Sequence, residues 1–125
     1  MTKVRTLFDP QVIQTLACTM GNKPLAFRFL GDYFDLLPRR KHRIISAVQD
    51  EDPEAAMDAI LSLKIASAMV GARDAEDRCR VLQSLIANLN FHAAGPGAIA
   101  LGSSVDALVA DAPEILSTLR PRLTG

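Results

Sequence analysis

Apolar residues recur every three or four positions along this chain, and helical spacing accounts for them throughout. Alternating β-branched runs and two-residue hairpin signals are missing from the sequence, so no strand is expected. A first helix is expected in "FDPQVIQTLACTM". There Asp9 is a good N-cap and Pro10 takes the first helical position, where a missing N–H costs nothing. Phe8 and Ile13 flank that cap on its apolar side, and Gly21 with Asn22 ends the helix. A long second helix, 23–49, keeps Phe27, Leu30, Phe34, Leu37, Ile44 and Val48 on one stripe. The stripe holds its phase across Pro38, which predicts a kinked but continuous helix.

"QDEDPEAAM" opens a third helix with Asp52 as cap, Pro53 next, and Glu54 at the positive helix end. Its inner stripe reads Ala56, Ile60, Leu63, Ser67, Val70, and Gly71 either ends it or lets another backbone approach closely. A fourth helix, 73–91, carries Ala75, Cys79, Leu82, Ile86 and Leu89 in phase, and "HAAGPG" is expected to break it. The last helix carries Val105, Leu108, Ala112, Ile115 and Leu119, with Ser103 and Asp106 resembling a capping box. Amphipathic helices with short connections pack against their neighbours. The expectation is an all-α fold: one domain over 1–125, an antiparallel four-helix bundle with an additional short N-terminal helix.

Composition narrows the chemistry. Hydrophobic residues make up 49% of the 125 and charged residues 22%, as in globular proteins. The formal net charge is zero, which gives no general electrostatic case for nucleic acid or a membrane surface. No apolar run is read as approaching the roughly 20 residues of a membrane span, and "MTKVRTLFDP" lacks the apolar core of a leader. A cytoplasmic location is therefore expected. Cys18 and Cys79 lie far apart and read as reduced thiols on helices. With only His42 and His92 beside them, no metal site is expected. His92 reads as a helix-end residue meeting terminal carbonyls, and His42 as a surface histidine among cations. The run Arg39, Arg40, Lys41, His42, Arg43 reads as the solvated face of a helix end; no aromatics interleave it, so nucleic acid is not favoured.

The order "FDP…LACTMGN…FRFLGDYFDLLPRRKHRIISAVQDEDPEAAMDAILSLKIASAMVGARDAEDRCRVLQSL" resembles the histidine-containing phosphotransfer domains, over residues 8–90. Members of that family shuttle phosphoryl groups between receiver domains in two-component relays. Their third helix reads approximately Ala-His-x-Leu-Lys-Gly, then small residues, then Gly-Ala. Leu63 and Lys64 fit the Leu-Lys pair, Ser67 a small core position, and Gly71 with Ala72 the end. The phosphorylated His falls on Leu61, the Gly after the Lys on Ile65, and an acidic residue of the fourth helix on Gln83.

An imidazole nitrogen attacks a phospho-aspartate; a leucine has no lone pair with which to do so. Ile65 also fills the space that glycine keeps open. Ser62 points about 100° away around the helix and has no activating base beside it in sequence. The resemblance therefore implies a pseudo-phosphotransfer adaptor that docks on a response-regulator receiver domain, or on a hybrid histidine kinase, without carrying phosphate. The chain has no nucleophile–base pair and no Gly-rich phosphate loop, so neither an enzyme nor a bound cofactor is expected.

On a helical wheel Met57, Leu61, Lys64, Ile65 and Ala68 share one face, opposite the Ile60–Leu63–Ser67 stripe. Exposed apolar residues there would form a docking surface. Alternatively the first helix or "FHAAGPGAIALG" covers them and they are ordinary core. A third reading makes the chain a self-association module, a homodimer through the Leu61/Ile65 face.

Overall fold

A computed structural model describes residues 8–124, all of it helix and short turns. The "MTKVRTL" portion of the leader reading lies outside the described residues. Five helices follow in order: α1 Pro10–Met20, α2 Lys23–Gln49, α3 Pro53–Val70, α4 Arg73–Ala87 and α5 Phe91–Thr124.

The caps announced at Asp9 and Asp52 form, and Asn22, read only as part of the stop of α1, also caps α2. Gln11 N–H donates to the Asp9 carboxylate at 3.0 Å, Leu25 N–H to the Asn22 side-chain oxygen at 3.0 Å, and Ala55 N–H to Asp52 at 3.1 Å. Each satisfies an N-terminal donor that the helix leaves free, and a proline follows each cap within two residues. α2 runs unbroken through Pro38.

α2 packs on α3 and α5, and α4 packs on α3 and α5, which closes a ring of four long helices. Two- or three-residue turns force successive helices to reverse direction. Helix α1 lies against α2, α3 and α5 at one end. The predicted stripes meet inside: Leu30, Leu37, Ile44, Ile60, Leu63, Leu82, Ile86, Leu108 and Leu119 are fully buried and join one core cluster. Each such side chain contributes about 1.5–3 kcal/mol by leaving water. Phe8 and Ile13 are buried together beside the α1 cap, one residue before it and four after.

The α4–α5 region departs from expectation. α4 ends at Ala87, and Leu89 is no part of its stripe: it takes a left-handed conformation, φ 55°, and is 64% exposed. Asn90 N–H donates to the Leu85 carbonyl at 2.8 Å, which closes the turn. The Asn90 side-chain oxygen then accepts from Ala93 N–H at 3.2 Å and caps α5.

"HAAGPG" is thus helix, not a breaker. Pro96 faces solvent near the start of the helix, while Ala94 and Ala98 are buried. Gly97 and Gly102 are sites of close approach: a Cβ on Gly97 would stand 3.1 Å from Leu82 Cδ2, and one on Gly102 would stand 3.3 Å from Lys41 Cδ. Packing against α4 and α2 outweighs the weak local propensity of these small residues. Ser103 and Asp106 lie inside α5, so they form no capping box; Asp106 instead accepts from Lys41 at 2.8 Å. His92 sits exposed in the first turn of α5, at the end where N–H groups are free, and not at the end of α4 where the sequence pattern puts it. Because the expected break is absent, α5 is a single helix long and apolar enough by length and composition to cross a membrane. In this fold its stripe from Ala94 to Leu123 lines the core.

Candidate functional site

The third-helix face is built by register between α3 and α4. The inner stripe of α3, including Ile60, Leu63 and Ser67, is fully buried, which turns the residues between outward. Met57, Leu61 and Lys64 are half-buried, whereas Ala68 is exposed and Ile65 is 58% exposed. Met69 adds an exposed apolar neighbour one turn beyond Ile65. Leu61 therefore sits at the margin of the α3–α4 seam, with Ile65 standing free.

The seam's polar contact joins two positions that the resemblance singled out. Lys64 Nζ donates to Gln83 Oε1 at 2.7 Å. Lysine lies three residues after Leu61, on the same side of α3. An ammonium only donates, so the amide must turn its oxygen toward it. Of the two segments that could cover this face, "FHAAGPGAIALG" belongs to α5, whereas α1 does lie against α3. α5 packs on α2 and α4 and lies across the ring from α3. α1 is anchored at the far end, where Asp9 N–H donates to the Gly71 carbonyl at 2.7 Å, about 15 Å along the helix from Leu61.

Gly71 fills both roles read for it at once. Its φ of 92° ends α3 in a left-handed turn, and a Cβ there would meet the Asp9 carbonyl oxygen. Arg73 adds an ion pair to Asp9 at 3.0 Å. Together these contacts fix α1 on the α3–α4 turn.

Beneath the face lies a polar contact that stripe counting missed. The Tyr33 and Ser67 hydroxyls share a hydrogen bond of 2.7 Å in the core. Burial pushes the Tyr33 phenol well above its ordinary range, although the bond to Ser67 opposes the shift. The signal was present: Tyr33 and Ser67 are polar groups in phase with two facing apolar stripes. Burial likewise pushes the Cys79 thiol up to about 12, with the Lys64 charge opposing it. Cys79 is buried and Cys18 exposed, both free.

The basic run lies in mid-helix, not at a helix end. Lys41 pairs with Asp106 of α5 at 2.8 Å, and Arg43 with Asp58 of α3 at 3.3 Å. His42 and Arg39 are exposed, while Arg40 is half-buried, with one guanidinium nitrogen lacking a partner. Two of its cations are thus used between helices. Ser62 is exposed. Among the described residues no group of His, Cys, Asp and Glu is arranged to hold a metal. No family model, curated protein or solved structure matches the chain.

Proposed function

We propose that this chain is a pseudo-phosphotransfer adaptor: an HPt-like four-helix bundle that docks on a receiver domain, alone or within a hybrid histidine kinase, and carries no phosphate. The observation that carries the reading is the α3 face. Lys64 is held beside Leu61 by Gln83, and Ile65 is exposed at the position after the lysine. Leu61 occupies the position where the resemblance calls for a nucleophile, and a hydrocarbon accepts no phosphoryl group. Leu61 and Ile65 supply apolar contact, Met57 and Ala68 the rim, and Lys64 a charge for the acidic pocket of a receiver. By occupying that docking face the chain would block a relay.

The experiment is binding of the purified chain to a panel of receiver domains, phosphorylated and not, with phosphoryl transfer followed in the same tubes. Binding without transfer is expected. Transfer would overturn the reading, and mapping of the modified residue would then locate the nucleophile.

The exposed Ile65 and Met69 also suit a second reading, in which two copies bury this face against each other. Sedimentation separates the two: a dimer that Leu61→Glu splits, with no receiver bound, favours self-association.

A further inference from the structure

The grip on Lys64 is neutral. Lys41, Arg43, Arg73, Arg78 and Arg80 each meet a carboxylate, with N–O separations of 2.8–3.3 Å. Lys64 instead meets an amide oxygen at 2.7 Å. That contact fixes the ammonium across two helices without cancelling its charge. The charge is felt locally, since it draws down the Cys79 thiol against the larger effect of burial.

We infer that Gln83 is a specificity-determining residue of the docking face: it positions Lys64 while sparing its charge, so that the face selects a protein surface presenting clustered carboxylates inside an apolar rim. The inference rests on the docking reading above. A carboxylate at position 83 would pair with Lys64 internally and compete with the partner's acids. An apolar residue there would leave the charge intact but unheld. Charges at an interface act mainly through association rate and salt dependence, so the two substitutions give different signatures.

The test takes a receiver domain that binds the wild-type chain. Affinity is measured at several salt concentrations for the wild type, Gln83→Glu, Gln83→Ala and Lys64→Met, with thermal unfolding by circular dichroism for each. Gln83→Glu is expected to bind about tenfold more weakly, with a flattened salt dependence, and to melt no lower than wild type. Lys64→Met should show the same flattening. Gln83→Ala should lose only about two- to threefold and keep the wild-type salt dependence. Equal affinity and salt dependence for wild type and a folded Gln83→Glu would overturn the inference and leave docking intact. If Gln83→Glu does not fold, an unchanged salt dependence in Lys64→Met overturns it. A panel in which no receiver binds overturns both the inference and the docking reading.

Discussion

At Gly71 one residue meets two demands. Its φ of 92° suits glycine, and the Asp9 carbonyl occupies the space a Cβ would need. Gly71→Ala is therefore expected to destabilise the fold by about 2 kcal/mol or more, read as a lower urea midpoint. Ser67→Ala leaves the buried Tyr33 hydroxyl without its partner and should cost about 1–3 kcal/mol in the same measurement. Cys79 gives a pH signature. In the unfolded chain its thiol ionises near 9.0, but in the fold it stays protonated up to about 12. The folded value is the higher one, so stability is full below pH 9 and falls as pH rises toward 12, by at most about 1.4 kcal/mol per pH unit for one group. Urea melts at about pH 8 and about pH 10.5 should show the loss, smaller in Cys79→Ala. Tyr33 adds loss of the same sign at higher pH. With a thiol reagent, Cys18 should react at once and Cys79 only on unfolding.

At the scale of elements, strong local punctuation made most helices legible. Asp9-Pro10, Gly21-Asn22 and Asp52-Pro53 each carry a cap or stop with its own mechanism, and the caps form as read. The α4–α5 turn was not legible, because its left-handed position holds leucine and its small residues imitate a loop. Gly97 and Gly102 serve helix contact there, which sequence spacing alone does not reveal. Leu89 is exposed and strained, so Leu89→Gly should stabilise the chain by about 0.5–1 kcal/mol, seen as a raised melting temperature. The opposite result would mean that the leucine side chain contributes more than its backbone strain costs.

On the scale of the whole molecule, periodicity placed the inner stripe of α3 correctly, and with it the outward turn of Ile65 and Ala68. It could not grade that face. Whether Leu61 is free, half-covered or core depends on which helix lies alongside, and that is set by the ring of helices and not by spacing within α3. The Lys64–Gln83 contact belongs to the same scale, since it joins residues nineteen apart on two helices. The most direct measurement is the affinity of Leu61→Glu, beside wild type, for a receiver that binds the wild-type chain. The account predicts loss of binding by at least about tenfold with an unchanged circular dichroism spectrum. Unchanged affinity in a folded variant would contradict docking through this face.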